Sequence, residues 1–140
     1  MTPTETIHAS CVAFDGRAVL VTGASGNGKS ALALALIARG GLLVADDRVV
    51  LTAREGQLRA ASPVAISGLI EARGIGLLRA PVTGSARVVC LVDLEQPEPE
   101  RLPPHRKITL SGIEVDLVFG KDAPNLADAL PLLIRNGRHA

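Results

Sequence analysis

Aromatic side chains are almost absent from this chain: its 140 residues include two Phe, no Trp and no Tyr. Proteins that bind single-stranded nucleic acid rely on aromatic side chains on which bases stack. The net charge of +1 also supplies no basic field to attract a polyanion. The composition therefore argues against nucleic-acid binding. Hydrophobic residues still make up 47% of the chain, so we expect one domain over residues 1–140 with an aliphatic core.

Long apolar runs and cysteine motifs are lacking as well. No apolar run reaches the roughly 18 residues that a membrane-spanning helix needs, and no charged-then-apolar leader precedes the first strand-like segment. We therefore expect no membrane association and a cytoplasmic location. Cys11 and Cys90 lie far apart in apolar runs without metal-ligand spacing, which is typical of small buried thiols in strands.

What the chain does contain is a phosphate-binding loop pattern. The segment G-A-S-G-N-G-K-S at residues 23–30 fits G-x-x-x-x-G-K-[ST] at every fixed position. A β-rich run (17–22) precedes it and an Ala/Leu-rich run (30–39) follows it, so the context predicts strand, glycine loop and helix. A glycine-rich turn that happens to precede a helix is the competing interpretation. The predicted nucleotide-binding residues are Gly23, Ala24, Ser25, Gly26, Asn27, Gly28, Lys29 and Ser30.

The chemistry of phosphate binding requires these residue types. Glycines let backbone N–H groups approach phosphate oxygens, and the helix N-terminus adds free N–H donors and a partial positive charge. Lys29 is placed to reach the β- and γ-phosphates of a nucleotide, and the Ser30 hydroxyl to bind Mg²⁺.

Most of the chain reads as short strands joined by tight turns, with few helices. Turn pairs such as Asp15-Gly16 and Ser111-Gly112 separate apolar runs and predict hairpins. Four prolines mark residues 96–104 as a loop without regular structure. The predicted strands cover 7–14, 17–22, 42–45, 49–53, 57–61, 86–94, 108–110 and 113–118, and a C-terminal helix covers 125–136 with a kink or split at Pro131.

Two consecutive carboxylates, Asp46 and Asp47, follow the predicted strand 42–45. Strand ends beside a phosphate-binding loop are where open α/β sheets bind ligands, and phosphoryl transfer needs both a metal-holding carboxylate and a proton acceptor. One of the two could serve the metal and the other the proton. A turn or a helix cap is the competing interpretation, because Asp favours both.

Three further residues are weaker candidates on sequence grounds alone. His8 opens an apolar strand and is as consistent with a hydrogen-bonded core histidine. Glu71 lies beside glycines and an arginine, where a loop charge is the ordinary reading. Arg101 lies in the proline-rich loop and could stabilise transition-state charge, or it could be a solvated loop charge.

Taken in order, these motifs resemble the catalytic domain of the HPr kinase/phosphorylase family, whose members phosphorylate a serine of HPr, the phosphocarrier of the bacterial sugar phosphotransferase system. Ile7-His8 precedes the hairpin that leads to the loop, and V-T-G-A-S-G-N-G-K-S (21–30) looks like the family's phosphate loop. L-V-A-D-D-R-V (43–49) resembles its strand and aspartate pair, and E-A-R-G-I-G-L-L (71–78) its signature glutamate segment.

The resemblance implies an α/β fold: a P-loop-containing, phosphoenolpyruvate-carboxykinase-like catalytic domain with a mixed sheet, β-hairpins and a C-terminal helix. It implies that Asp47 is the general base for the substrate serine, with His8 beside it. Lys29 would neutralise the phosphates and Arg101 would be a further catalytic residue. The predicted metal ligands are Ser30, Glu71 and Asp46.

The resemblance further implies ATP and Mg²⁺ as cofactors, an HPr-type phosphocarrier (HPr itself or a nitrogen-branch relative) as substrate, and a ring-like hexamer. The chain corresponds to the catalytic domain alone, as in the short form found in alphaproteobacteria. The family's late loop with Pro and Arg, tied to dephosphorylation, is replaced here by G-K-D-A-P-N (120–125). We therefore expect kinase rather than phosphorylase activity.

Two other functions remain open at this stage. The first is a kinase of the same fold that phosphorylates the hydroxyl of a small molecule. The second is a nucleotide-binding regulatory module without transferase activity. The full set of Asp47, Lys29, Ser30 and Glu71 favours an enzyme over the regulatory module.

Overall fold

Short strands dominate the architecture. The structure, a computed structural model, describes residues 4–24 and 26–140. In chain order the elements are β1 (Thr4–His8), β2 (Ser10–Phe14), β3 (Arg17–Thr22), α1 (Lys29–Ala38), β4 (Leu42–Ala45), β5 (Arg48–Arg54), β6 (Gln57–Ala61), a 3-10 turn (Val64–Ile66), β7 (Leu69–Ala72), β8 (Gly76–Arg79), β9 (Ser85–Asp93), β10 (Arg106–Leu110), β11 (Ile113–Phe119) and α2 (Leu126–Asn136). Within residues 4–24 and 26–140, neither helix is long and apolar enough to cross a membrane.

A mixed sheet of nine strands forms the body of the molecule. Its main path runs β1-β5-β6-β9-β3-β2-β4, and β11 joins it through β9 and carries β10 on its other edge. Strand β9 is long enough to take two partners along one edge, β6 near its start and β11 near its end. Strands β7 and β8 form a separate antiparallel hairpin.

Three parallel strands end together at one edge of the sheet. Strand β9 runs parallel to β3 and to β11, and the register places Thr22, Asp93 and Phe119 side by side. The backbone ties the ends further, because Leu94 N–H donates to Thr22 C=O at 2.9 Å and Gly120 N–H donates to Asp93 C=O at 2.8 Å. The segments that follow these strands therefore meet at the glycine loop.

The two faces of the sheet pack differently. Alternating residues of β2 and β3 point to opposite faces, as strand geometry requires. On one face Val12 and Val19 pack under both helices with Leu36 and Leu130. On the other face the core is built by strands alone, with Leu51, Leu58 and Val115 closing over β2 and β3. The curled sheet thus encloses a second core, and the glycine-loop helix α1 is anchored on the first.

Most of the predicted elements are confirmed, within one or two residues at their ends. The Asp15-Gly16 turn has positive φ at both residues, 53° and 79°, as the predicted two-residue hairpin requires. One prediction was wrong: the segment 7–14 is not one strand. It breaks at Ala9, because the chain before the break pairs with β5 and the chain after it pairs with β3 and β4.

The C-terminal helix also differs from the prediction at one point. A kink or split was expected at Pro131; α2 is not split but runs as one continuous helix with Pro131 buried inside it, and the kink stays a prediction. Proline lacks the N–H that would bond four residues back. Leu130 and Ile134 bury their side chains in the core around it, and this packing offsets the missing bond.

Candidate active site

The glycine loop, residues 23–30, leads from the end of β3 into the first turn of α1, the strand–loop–helix order that the sequence predicted. Gly26 and Gly28 have φ of 88° and 93°, a region that side chains beyond glycine rarely adopt. Asn27 N–H donates to Ala24 C=O at 3.0 Å and closes the turn. Ser25, one of the predicted nucleotide-binding residues, lies outside the described residues. The loop therefore has the conformation that only its glycines permit.

The start of α1 is open to an anion. Within the described part of the chain, no side chain caps this helix, and its first turn carries no acidic residue. The first N–H groups of a helix have no partner inside it, so they remain available together with the positive end of the helix dipole. Lys29 is buried, and its ammonium donates to Gly23 C=O at 2.9 Å across the loop.

Asp46 lies at the centre of a buried hydrogen-bond network. It is only 8% exposed. Its Oδ1 accepts from Ser30 Oγ at 2.8 Å and from Ser10 Oγ at 2.7 Å, and its Oδ2 accepts from the Glu71 N–H at 3.2 Å. One carboxylate thereby ties together β2, α1, β4 and β7. We call Ser10, Ser30 and Asp46 the serine–aspartate network.

Asp47, the next residue, is exposed where Asp46 is buried. Its φ of 70° turns the chain from β4 into β5. Asp47 lines a cavity of about 480 Å³, which we call the site cavity. The other lining residues are Gly26, Gly28, Lys29, Ser30, Ala31, Leu34, Glu71, Ala72, Arg73 and Ile75. The structure therefore brings Lys29, Ser30, Asp47 and Glu71 to one cavity.

The β7–β8 hairpin forms the far wall of the site cavity. Glu71 is exposed on β7, with its backbone fixed by the bond to Asp46. Arg73 lies in the turn and adds a positive charge that sequence reasoning had not assigned. Ile75, at 78% exposure, places an apolar side chain at the rim. This wall thus offers one carboxylate, one guanidinium and one apolar contact.

His8 is close to Asp47 through the backbone rather than through the cavity. It ends β1 opposite Arg48, and the Ala9 N–H donates to Asp47 C=O at 3.1 Å. Its side chain is exposed and is not part of the cavity lining. His8 and Asp47 therefore lie near one another along the backbone, and a role of His8 in the active site stays a prediction.

Arg101 is the predicted catalytic residue that the structure leaves apart. It is exposed in the proline-rich loop after β9, and the site cavity is lined without it. A neighbour in the same loop, Glu98, forms a bidentate ion pair with Arg106. The hydrogen bond from Arg106 lowers the pKa of Glu98. The loop is thus tethered to β10.

The donor set fits a magnesium ion that is also bound by phosphate. Among the described residues, no three His, Cys, Asp or Glu side chains are grouped to hold a metal alone. Magnesium is usually held by one or two carboxylates and takes its other ligands from phosphates and water. Ser30 directs its proton to Asp46, so its oxygen keeps lone pairs for a cation. Glu71 lines the same cavity, while Asp46 already accepts three hydrogen bonds.

Ser10 is the residue that sequence reasoning missed. It is fully buried and holds Asp46 at 2.7 Å. The available signal was a hydroxyl at the start of a strand whose every residue is buried. A buried hydroxyl needs a hydrogen-bond partner, and that partner follows the neighbouring strand β4, 36 residues further along the chain.

The two cysteines are buried, as predicted, and lie outside the site cavity. Burial raises the pKa of the Cys11 thiol far above its usual range. Burial also raises the pKa of Cys90 to about 12, and the charge of Asp116 acts in the same direction. Both are therefore unreactive thiols at neutral pH, because the thiolate is the nucleophile.

The fold and the site together define a class: α/β proteins in which a strand–glycine-loop–helix unit lies beside an aspartate pair at the end of another strand of the same sheet. The model of the HPr Serine kinase C-terminal domain family matches residues 1–94. The chain belongs to this family.

Individual relatives agree with this assignment. The HPr kinase/phosphorylase of Clostridium novyi is 39% identical over 108 residues, which cover 72% of this chain and 35% of the relative. That of Bordetella pertussis is 47% identical over 79 residues, covering 56% of this chain and 26% of the relative. The structure of the Hpr(Ser) kinase/phosphatase from Coxiella burnetii superimposes with a TM-score of 0.78 at 33% identity, covering 94% of this chain and 95% of that one.

The extent of these matches differs. The chain spans about a quarter to a third of the length of the curated relatives it matches, but nearly all of the Coxiella burnetii chain. That structural match confirms the predicted α/β fold with its mixed sheet and C-terminal helix.

Proposed function

We propose that this chain is an ATP- and Mg²⁺-dependent kinase that phosphorylates a serine of an HPr-type phosphocarrier protein, with Asp47 as the general base. One observation carries the proposal: Asp47 faces Lys29, Ser30 and Glu71 across a single cavity at the glycine loop. Family membership and the names of the relatives support HPr as the acceptor.

In the proposed reaction the substrate serine enters between Asp47 and the glycine loop. Its oxygen attacks the γ-phosphorus, its proton passes to an Asp47 carboxylate oxygen, and the bond from the γ-phosphorus to the ADP oxygen breaks. The free N–H groups at the start of α1 and the Lys29 ammonium stabilise the charge of the phosphates. When bound, Mg²⁺ neutralises charge on the β- and γ-phosphate oxygens; Ser30 and Glu71 would hold it.

The serine–aspartate network supports this reaction by positioning. Asp46 accepts a hydrogen bond from the Ser30 hydroxyl and a second one from the Ser10 hydroxyl, so it holds Ser30 in place. Phosphoryl transfer depends mainly on positioned charges. A buried network that fixes the Ser30 hydroxyl would hold this metal ligand in position. Asp46 would therefore act on the metal chiefly through Ser30.

Transfer of label from γ-labelled ATP to purified HPr, with and without Mg²⁺, tests the proposal. We expect label on a serine of HPr only when Mg²⁺ is present. Transfer to small hydroxyl compounds but not to HPr would replace the proposal with a small-molecule kinase. ATP binding without transfer to any acceptor would replace it with a regulatory module. The reverse reaction is not part of the proposal, and phosphate release from phosphoserine-HPr would show that it also occurs.

A further inference from the structure

The outer side of the sheet continues beyond the two helices, over β1, β5, β6 and the start of β9. Leu58 and Ala86 point into the core that strands alone build. Arg59 and Arg87, the next residues along their strands, therefore point to the opposite side, where both are exposed. The helices pack chiefly on β2, β3, β4 and β7. This part of the sheet thus presents an open surface.

Arginines follow one another across this surface. The register places Arg59 opposite Arg87, and Arg87 opposite Arg17, so three guanidinium groups lie on neighbouring strands. Arg54 lies on the same side, two residues beyond Thr52, which is opposite Arg59. We call the exposed residues Arg17, Arg54, Arg59 and Arg87 the arginine face.

No carboxylate lies among these side chains. Besides Arg48 at the far end of β5, the other residues on this side of β1, β5, β6 and β9 carry no formal charge: Thr4, Thr6, His8, Val50, Thr52, Gln57, Ala61 and Ser85. The acidic residues nearest in the chain are in turns. Asp15 is bound by Arg135, and Glu55 lies in the turn between β5 and β6.

The charges of the arginine face are not neutralised within the described part of the chain. Its ion pairs are made by other cations: Arg39, Arg106, Lys107 and Arg135. Arg59 donates to the neutral Ser85 Oγ at 3.0 Å, and Arg17 donates to a backbone C=O at 3.1 Å. The chain has 15 basic and 14 acidic residues, so the positive charge is a local excess. Like charges directly opposite each other destabilise a sheet.

We propose that the arginine face is a docking surface for an acidic surface of another protein. A planar guanidinium binds a carboxylate through two parallel N–H···O bonds, which makes arginine well suited to ion pairs at interfaces. Neighbouring strands are about 5 Å apart, so the row presents these groups at regular intervals. An acidic partner would supply the negative charges that the chain itself does not place there.

Other anionic partners fit this surface less well. Bases of single-stranded nucleic acid stack on aromatic side chains, but Phe14 is buried and Phe119 ends β11. Membrane-surface binding combines basic residues with apolar side chains that insert. The exposed large hydrophobic residues of the described chain all lie elsewhere: Leu42, Val64, Ile75, Leu77, Val82, Leu102 and Leu132.

Docking at the arginine face would leave the active site open. Arg17 begins β3, and the other end of this strand leads into the glycine loop. None of the four arginines lines the site cavity. The docking surface is therefore independent of the proposed reaction, and a failure of transfer to HPr would not affect it.

Binding of a labelled peptide of alternating Glu and Ser residues tests the proposal, because its carboxylates share one side of an extended chain. The measurement is fluorescence anisotropy at about 50 mM salt, where screening is weak. The face variant is Arg59→Gln with Arg87→Gln. The control variant is Arg79→Gln with Lys121→Gln, which removes the same charge from exposed positions elsewhere.

We expect the face variant to bind the peptide about tenfold more weakly than wild type, and the control variant to stay within about twofold. Equal weakening in both variants would mean that overall charge attracts the peptide, and would overturn the proposal. Absence of binding to wild type would overturn it as well.

Competing probes identify the occupant. Single-stranded DNA and phosphatidylserine vesicles are expected to bind wild type more weakly than the peptide. Tighter binding of either probe, lost in the face variant alone, would overturn the assignment in favour of nucleic acid or a membrane. Sedimentation should give the same assembly for wild type and the face variant. Self-association that only the face variant loses would assign the surface to a second copy of the chain instead.

Stability gives a check that needs no partner. Arg87 lies between two like charges, so we expect Arg87→Gln to raise the urea midpoint of unfolding at low salt. Added salt should remove this difference, and Arg79→Gln should leave the midpoint unchanged. A lower or unchanged midpoint for Arg87→Gln would show that the folded chain already neutralises this charge, and would contradict the proposal.

Discussion

Asp46 and Asp47 are consecutive residues of the same type, yet they occupy opposite environments. Asp46 is buried and accepts three hydrogen bonds from three other elements. Asp47 is exposed in the site cavity with a left-handed backbone. A carboxylate that is fully used by protein donors positions its neighbours, whereas one that faces a cavity can take part in proton transfer. The contrast assigns a structural task to the first residue and a chemical task to the second.

Lys29 is buried like Asp46 and lines the site cavity like Asp47. Removing its charge has the largest expected effect on activity. Lys29→Met keeps a long side chain for the buried stem but removes the charge beside the loop. We expect phosphate transfer to fall by about 10³-fold, because a positioned charge on the transferred group is lost. The measurement is label transfer from ATP to HPr. Lys107→Met on β10 is the control, and an equal loss in both variants would mean that the effect is not local.

Replacing the buried carboxylate of Asp46 tests the comparison by its effect on the free energy of unfolding. In Asp46→Asn, an amide NH₂ replaces one carboxylate oxygen, so either the serine hydroxyls or the Glu71 N–H lose their acceptor. We expect the free energy of unfolding to fall by about 2 kcal/mol, since a buried donor loses its acceptor. Asp47→Asn should change it by less than about 0.5 kcal/mol, because the residue is exposed and Asn also tolerates positive φ. Denaturant unfolding of both variants measures these changes. Equal losses of unfolding free energy would contradict the difference between Asp46 and Asp47.

The Cys11 thiol tests whether water is excluded from the core on the face of β2 opposite Ser10. Cys11 follows Ser10 and pairs with Ala45, the residue before Asp46. Its pKa is raised by burial, so above about pH 9 the unfolded chain loses a proton that the native state keeps. Stability is then lost as the pH rises, by about 1.4 kcal/mol per pH unit for each buried thiol. Unfolding of wild type and Cys11→Ala between about pH 9 and 10 should show a shallower slope in the variant. Identical slopes would show that water reaches this region.

Arg101 gives the smallest expected effect. It is exposed, in a loop that lies outside the site cavity. Arg101→Ala should leave the free energy of unfolding within about 0.5 kcal/mol of wild type and leave ATP affinity unchanged, as measured by calorimetry. A large drop in ATP affinity would show that this loop closes over the nucleotide and would restore Arg101 to the catalytic set that the resemblance implies.

The sequence predicted the parts of the site that are local. The glycine loop, the strand before it and the helix after it follow from spacing and turn residues, and the hairpins follow from pairs such as Asp15-Gly16. Residue patterns could not reveal that Ser10 supports Asp46, because their bond joins residues 36 positions apart. They also could not divide the segment 7–14, since its apolar pattern is compatible with one strand or two. The break arises because the two halves of the segment pair with different strands, and this pairing depends on tertiary packing rather than on local sequence.

The position of Arg101 could not be predicted from residue patterns either. A proline-rich loop has no periodicity from which its path can be inferred, and its course is fixed by the contact of Glu98 with Arg106 on β10.

The most direct test of the account compares transfer to HPr by Asp47→Asn and by Asp15→Asn. Both residues are exposed aspartates with positive φ, 70° and 53°, so the same substitution is made in the same backbone conformation. We predict that Asp47→Asn binds ATP as wild type does but loses about 10³-fold in transfer rate, in the range expected for a missing general base. Asp15→Asn should transfer at the wild-type rate. Full transfer by Asp47→Asn would contradict the assignment of Asp47 as the base.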